Sequence, residues 1–243
     1  MTAIGDAYGE LMLAALEGRH APEIVEREDG FISASPIGPG LYFEPFRRWP
    51  AHHRRGMRFV RGRVLDVGCG AGRVCLYLQE RGLDVVGIDV SPGVVEVSRR
   101  RGVRDARVLS IDDVDESLGV FDTIVMLGNN FGLFASAAKA GRLLRRFHRL
   151  TSARGRIVAE SRNPYETEDP GHLAYQARNR DRGRMSGQLR IRVRYQELAT
   201  PWFEYLIVSP DELRELAEPA GWNVARLIES DDLYVAVLEK RGA

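Results

Sequence analysis

The chain has 243 residues, of which 44% are hydrophobic and 28% are charged. This length and composition suit one globular α/β domain with a large core. The net charge of +1 gives no global positive field for nucleic acid, and the apolar runs are shorter than the ~20 residues that a membrane helix needs. The two cysteines, Cys69 and Cys75, match neither a disulfide framework nor a zinc pattern. We therefore expect a cytoplasmic protein without a metal ion, a nucleic-acid partner or a membrane association.

The first 55 residues predict a helical cap. Residues 6–17 have helical periodicity, whereas residues 30–50 are rich in glycine, proline and aromatic residues and suggest irregular structure. The aromatic side chains either form a lid over a cleft or pack on the sheet, and we slightly favour the lid; they include Tyr42, Phe43, Phe46 and Trp49. His52 and His53 are adjacent, so they should not share a helix face as a metal-binding pair would, and we expect both to be exposed.

Strands alternate with helices from Arg63 onward. The periodicity predicts strands over 64–67, 84–89, 106–109, 121–127 and 156–160, with helices over 72–81, 93–101 and 136–150. This alternation favours a doubly wound parallel sheet with helices on both faces.

The last 35 residues differ from that pattern. Ser209 and Glu212 form a capping-box signature for a helix that reaches about Glu218. Strands over 222–229 and 233–239 follow, joined by a turn so short that the pair must be antiparallel.

Residues 162–208 form an insertion. Apolar residues alternate with Arg190, Arg192 and Arg194, which predicts a strand with one cationic face, and residues 202–208 are its expected hairpin partner. The arginines either form an anion site or face solvent, and solvent is favoured. We predict a single domain with a cap over 1–55, a Rossmann-like core over 56–161 and 209–243, and this inserted hairpin. The cap and the insertion are expected to form together the roof of a pocket for the substrate that accepts the transferred group.

The strongest chemical signal is the glycine-rich turn after the first core strand. Gly68, Gly70 and Gly72 separate that strand from a helix, and such a turn allows close approach of a ligand to backbone N–H groups. The third glycine of a dinucleotide fingerprint is replaced by Arg73. Asp66 within the strand suits a positively charged ligand better than a pyrophosphate.

Asp89 ends the second core strand, seventeen residues after Gly72. A carboxylate at this place can accept hydrogen bonds from both ribose hydroxyls of a nucleoside. Taken alone, Asp89 is equally well explained as a helix cap before Ser91 and Pro92. Combined with the glycine-rich turn, it favours a nucleoside site.

Four segments together resemble the class I S-adenosylmethionine (SAM)-dependent methyltransferases: VLDVGCGAGR (64–73), VVGIDVSP (85–92), FDTIVMLGNNFG (121–132) and RIVAES (156–161). The resemblance covers roughly residues 60–165, and the last 35 residues in outline. It implies a seven-stranded sheet with an antiparallel last strand and SAM as the cofactor.

The resemblance also implies site residues. The methionine part of SAM is expected to contact Asp66, Gly68, Cys69, Gly70 and Gly72. The ribose is expected at Asp89 with Val90, and the adenine at Ile111 and Asp112. Gly128 and Asn129 are expected to close the cofactor site. Substrate candidates are Tyr42, Trp49, Asn130, Arg162 and Tyr165, and candidates for a general base are Tyr165, Glu160 and His172, with none preferred.

The residues after the fourth core strand differ between subfamilies of these methyltransferases. Asn129-Asn130-Phe131-Gly132 differs from the motif typical of nucleobase amino-group methylation, and neither cysteine suits cytosine C5 chemistry. A small-molecule acceptor with an oxygen or nitrogen nucleophile is favoured. The alternatives are an RNA or protein methyltransferase, and a protein that binds SAM without turnover. The sequence leaves the oligomeric state open.

Overall fold

The computed structural model describes residues 3–35 and 38–241. In chain order, the described helices α1–α7 span Ala7–Leu16, Ala51–Gly56, Arg73–Glu80, Pro92–Arg100, Ala137–Arg149, Pro170–Asp181 and Pro210–Ala217. The described strands β1–β13 span Ala3–Ile4, Glu23–Arg27, Ile32–Ser35, Val64–Val67, Val85–Asp89, Ala106–Val108, Phe121–Met126, Thr151–Arg162, Gln188–Tyr195, Leu198–Ala199, Phe203–Leu206, Trp222–Ser230 and Leu233–Lys240.

Seven strands form a mixed sheet in the order β12-β13-β8-β7-β4-β5-β6. Strand β7 is parallel to β8 and β5 is parallel to β6, whereas β13 is antiparallel to both β8 and β12. This arrangement confirms the doubly wound α/β fold with an antiparallel last strand. The capping box of α7 is present, with Ser209 and Glu212 bonded reciprocally to the backbone.

The chain divides into two compact units. The first unit comprises Met1–Trp49, Asp66–Asp113 and Arg190–Phe203, and the second comprises Pro50–Leu65, Val114–Leu189 and Glu204–Ala243. The assignment of the whole chain to a single domain stays a prediction.

In the first unit, helix α1 packs closely on α4. The Cα of Gly9 faces Gly93 so closely that a Cβ on Gly93 would lie 2.7 Å from it. Next to this crossing, an apolar cluster joins the N-terminal helix to the region after β4; it consists of Met12, Ala71, Val94 and Val97. The predicted helix at 6–17 is thus confirmed as α1, and it is built into the core of the first unit.

A smaller sheet has the order β1-β10-β9-β2-β3, with β11 paired to β9. The predicted helical cap also contains two strands, because β2 and β3 precede the segment from Gly38 and β2 pairs antiparallel with β9. The sequence of β2, EIVER, has no regular alternation of apolar and polar residues, and that of β3, ISAS, alternates over only four residues, so local pattern did not reveal them.

The arginines of β9 differ in exposure: Arg190 is exposed, whereas Arg192 and Arg194 are partly buried. Arg192 and Arg194 both pair with Glu26 on β2, at 2.8 and 3.4 Å, and the Arg192 guanidinium also lies 4.5 Å from the centre of the Trp202 ring. Arg190 lies 3.8 Å from Glu28. Arg192 and Arg194 fit neither interpretation drawn from the sequence, because Glu26, on a strand that had not been predicted, neutralises them. The exposure of Arg190 agrees with the favoured interpretation.

In the second unit, α5 packs its apolar face near β7, β8 and β12. Trp222 is fully buried, and its indole N–H donates to the carbonyl of Leu144 at 2.9 Å. Phe147 extends the core towards Phe134, with ring centres 5.9 Å apart. This packing fixes the carboxyl ends of the parallel strands β7 and β8.

Helix α6 lies inside the insertion, where the sequence predicted only a hairpin. Its buried side is partly polar: the Asn179 amide donates to the carbonyls of Ser186 and Gln188, and Gln176 donates to the carbonyl of Pro164. A helix without an apolar stripe gives no periodic signal. Among the described helices, none combines the length and apolarity needed to span a bilayer.

Candidate functional site

The glycine-rich turn of the first unit leads from β4 into α3. Gly68, Gly70 and Gly72 have φ angles of 70°, 55° and 78°, which favour glycine. A Cβ at Gly72 would also lie 2.5 Å from Val103, whereas a Cβ at Gly70 would meet nothing within 4 Å. Gly72 is the N-cap residue of α3. Because glycine has no side chain, it makes no capping hydrogen bond to the N–H groups at the start of this helix. The turn therefore has an open face beside N–H groups that suit a ligand.

Asp66 lies below this turn with 2% of its surface exposed. The Cys75 thiol donates to its carboxylate at 3.3 Å, and burial raises the pKa of Asp66 to about 7. Cys69 is also buried, close to the hydroxyl of Ser98, which in turn donates to the Gly70 carbonyl. These contacts order the turn; a direct contact of Asp66 with a ligand stays a prediction.

Asp89 ends β5 and faces the turn. One carboxylate oxygen accepts from the Gly70 N–H at 3.3 Å and the other from the Ser91 N–H at 3.1 Å. Each oxygen keeps acceptor capacity, since an ionised carboxylate has about four lone-pair sites. Burial raises the pKa of Asp89 to about 6. Its neighbour Val90 is 66% exposed, so an apolar surface lies beside the carboxylate.

The predicted adenine neighbours lie on the segment after β6. The Leu109 N–H donates to the Asp89 carbonyl at 2.9 Å, which holds the start of this segment beside the end of β5. Ile111 is buried and Asp112 is exposed at a short 3-10 turn. Both residues thus belong to the same edge of the first unit as Asp89, and their contact with a ligand stays a prediction.

A pair of tyrosines adjoins Asp89. Tyr42 donates to Glu23 at 3.2 Å and is hydrogen-bonded to Tyr8, and burial raises the pKa of both phenols. Burial also raises the pKa of Glu23, and the negative charge of Asp89 acts on Tyr8. Tyr8 and Glu23 were missed from the sequence because α1 and β2 reach Asp89 only through the tertiary fold.

Trp49 packs rather than forming an exposed lid. It is 3% exposed, its ring centre lies 5.5 Å from that of Tyr77, and Phe46 stacks on Tyr77 at 4.0 Å. The Arg73 guanidinium lies 4.9 Å from the Trp49 ring. For Trp49 the structure therefore supports packing, the alternative that we had favoured less.

In the second unit, the predicted closing residues Gly128 and Asn129 contact Glu160. Their N–H groups donate to Oε2 of Glu160 at 2.6 and 2.7 Å, and the Tyr205 hydroxyl donates to the Asn129 carbonyl. Asn129 has a φ of 63°, so these bonds hold a left-handed backbone.

The predicted exposure of His52 and His53 was wrong. They are 5% and 3% exposed, and Nε2 of each lies 2.7 Å from Oε1 of Glu160. With the two backbone donors, these hydrogen bonds lower the pKa of Glu160 well below its usual range. Glu160 is therefore a poor general base. Helix α2 has six residues, too few for its buried side to show in the sequence.

The remaining predicted residues of the second unit lie nearer the surface. The Tyr165 hydroxyl donates to Glu212 at 2.7 Å, Arg162 forms an ion pair with Asp232, and Asn130 begins the 3-10 segment Asn130–Phe134. His172 lies 3.2 Å from the Thr167 hydroxyl. Their roles towards a substrate or a proton stay predictions.

The seven-stranded sheet, the glycine-rich turn and the carboxylate at the end of β5 are typical of nucleoside-binding proteins of the doubly wound α/β class. A family model described as a methyltransferase domain matches residues 64–155. A SAM-dependent methyltransferase from Bacteroides fragilis, solved in complex with S-adenosyl-L-homocysteine (SAH), is 26% identical, with 99% of this chain and 97% of that chain covered and a TM-score of 0.82. The chain is therefore similar to the class I SAM-dependent methyltransferases in the sequence of residues 64–155 and in its Rossmann-like fold, and that family uses SAM as its cofactor.

Two curated relatives match over shorter stretches. The ubiquinone biosynthesis O-methyltransferase of Azorhizobium caulinodans is 28% identical over 135 residues, which is 53% of this chain and 52% of the relative. The magnesium-protoporphyrin O-methyltransferase of Rhodobacter capsulatus is 34% identical over 86 residues, or 34% of this chain and 38% of the relative. The chain thus spans about half the length of these relatives or less.

Proposed function

We propose that this chain transfers a methyl group from SAM to an oxygen or nitrogen nucleophile of a small molecule. The observation that carries the proposal is Asp89, whose carboxylate keeps acceptor sites beside the open face of the Gly70 turn. The two curated relatives are named O-methyltransferases of ubiquinone biosynthesis and of magnesium-protoporphyrin, which favours an oxygen nucleophile. The balanced charge of the chain supports a small acceptor over a nucleic acid.

The residues of the first unit fit the cofactor. Asp89 would accept from the ribose hydroxyls, and the N–H groups at the start of α3 would face the polar end of the methionine part. Exposed Val90 would cover apolar surface of the nucleoside. SAM supplies an activated methyl group, so the work left to the protein is to align the acceptor and to exclude water.

The proposal predicts selective binding of SAM and SAH over NAD. The turn lacks the third glycine of a dinucleotide fingerprint, so it should not hold a pyrophosphate well. Isothermal titration calorimetry of the full chain with the three ligands tests this. We expect measurable heats for SAM and SAH and none for NAD. Tighter binding of NAD than of SAM would refute the cofactor assignment.

The affinity for SAH should also depend on pH. Protonation of Asp89, with its pKa raised to about 6, removes acceptor sites that the ribose hydroxyls need. Because the ionised form binds, the affinity should be full above pH 7 and fall by about tenfold at pH 5. Calorimetry in matched buffers measures this, with Asp89→Asn as the control. If the affinity of the parent chain for SAH changed as little between pH 7 and pH 5 as that of Asp89→Asn, the role of Asp89 would be contradicted.

A further inference from the structure

A buried group of metal-ligand atoms lies in the second unit. It consists of Nε2 of His52, Nε2 of His53 and Oε1 of Glu160, and we name it the His-His-Glu cluster. These three atoms lie within 4.8 Å of one another, and each side chain is at most 5% exposed. Both imidazoles thus reach the same buried carboxylate oxygen.

The backbone holds the cluster in place from two sides. Oε2 of Glu160 is fixed by the N–H groups of Gly128 and Asn129, so Oε1 is the oxygen that remains directed at the histidines. Residues 128 and 129 follow β7, and Glu160 lies near the end of β8, which is parallel to β7. The cluster therefore lies at the carboxyl ends of two parallel strands, the edge at which ligands bind in open α/β sheets.

We propose that the His-His-Glu cluster binds one divalent transition-metal ion. Imidazole nitrogen suits zinc, iron, nickel and copper, and two histidines with one carboxylate form a common ligand set for such ions. Hydrogen bonds from Gly128 and Asn129 orient the carboxylate, as partners outside the ligand sphere do in metalloproteins. Three protein ligands leave a coordination position for a small molecule or water. The proposal departs from the expectation, drawn from the sequence, that the chain holds no metal.

The distances are compatible with an ion after a small movement. Each Nε2 lies 2.7 Å from Oε1, the length of a hydrogen bond. Ligand atoms that are each about 2.1 Å from a metal ion lie roughly 3.0–3.4 Å apart. Rotations of the imidazole rings that open each gap by a few tenths of an ångström therefore suffice, and the ion would take the place of the two Nε2 protons.

Two buried polar atoms nearby support a ligand. Among the described residues, Nδ1 of His52 and Oδ1 of Asn129 have no hydrogen-bond partner. An unpaired buried polar group costs about 1–3 kcal/mol, so proteins rarely keep two of them on residues bonded to the same carboxylate. With an ion at Nε2, the proton of neutral His52 lies on Nδ1, which then acts as a donor. A water molecule bound to the ion is a donor of the kind that Oδ1 of Asn129 lacks.

Titration of the full chain with Co²⁺ tests the proposal without any acceptor or SAM. We expect one equivalent of Co²⁺ to bind, with visible absorption of imidazole-ligated cobalt, and Zn²⁺ to displace it. His52→Gln and His53→Gln should each weaken binding at least about tenfold. His172→Gln is the matched control, because His172 lies outside the cluster, and it should bind as the parent chain does.

Glutamine can still donate to Glu160, so both variants should keep their fold, which far-UV circular dichroism checks. The absence of Co²⁺ and Zn²⁺ binding at neutral pH would overturn the proposal. So would binding that survives either substitution, and the cluster would then be a hydrogen-bonded anchor for Gly128 and Asn129. Calorimetry with SAH on the same samples tests the proposed function independently. SAH binding without metal binding would overturn the metal site and leave the proposed function standing.

Discussion

Replacing Asp89 by alanine should weaken SAH binding about ten- to a hundredfold, because ribose hydroxyls left without an acceptor cost about 1–3 kcal/mol. The substitution also removes the acceptor for the N–H groups of Gly70 and Ser91, which loosens the turn that faces the ligand. The fold should survive, since the apolar residues of β5 before Asp89 stay buried. Calorimetry with SAH measures the affinity, and circular dichroism monitors the fold.

Asp84→Ala is the matched control for this experiment. Asp84 directly precedes β5 and is exposed, so its replacement by alanine removes the same charge at the opposite end of the strand. Its affinity for SAH should equal that of the parent chain. Asp89→Asn keeps the shape of the side chain and separates the loss of charge from the loss of volume. An unchanged dissociation constant for Asp89→Ala would mean that the ribose is held by another group.

The core of the fold was predictable because its signals are local. The glycines between β4 and α3, the capping box at Ser209 and the short turn before β13 each depend on residues a few positions apart. The strands at the carboxyl-terminal end were therefore confirmed within one or two residues.

The missed features depend on long-range contacts. Strand β2 is stabilised by pairing with β9, about 165 residues away, and β3 is stabilised by pairing with β2. Their own short sequences give only a weak strand signal. The burial of His52 and His53 depends on Glu160, which is 108 and 107 residues away, respectively. No spacing rule relates such residues, so the sequence favoured exposure on a short helix.

The role of the N-terminal segment also changes with the structure. From the sequence, the N-terminal cap and the insertion are expected to roof an acceptor pocket together, and deletion of residues 1–50 would be one test of that roof. Helix α1, however, contributes Met12 to the apolar cluster with Ala71, Val94 and Val97. Deletion would expose that cluster. A loss of methyl transfer in the truncated chain could therefore come from unfolding as well as from an open pocket. The roof itself stays a prediction, and point substitutions are the sharper test.

Asp6 is the residue that joins this segment to the cofactor site most directly. Its carboxylate accepts from Gly9 N–H at the start of α1, and from the Ser91 hydroxyl and Gly93 N–H at the start of α4, at 2.7–2.9 Å. One side chain thus caps two helices. Ser91 in turn donates its N–H to Asp89, so Asp6 supports the position of the ribose carboxylate without facing the ligand.

Asp6→Ala should therefore lower both stability and affinity. The loss of two caps at about 1 kcal/mol each predicts a loss of about 2 kcal/mol, or roughly 4–8 °C in melting temperature. Affinity for SAH should fall about three- to tenfold, the size typical of coupling between neighbouring residues. Glu10→Ala, an exposed position one turn along α1, is the control and should change neither quantity by much. Thermal melts and calorimetry provide both values. A variant that melts lower but binds SAH normally would show that Ser91 holds Asp89 in place without Asp6, and that the N-terminal helix serves only the stability of the first unit.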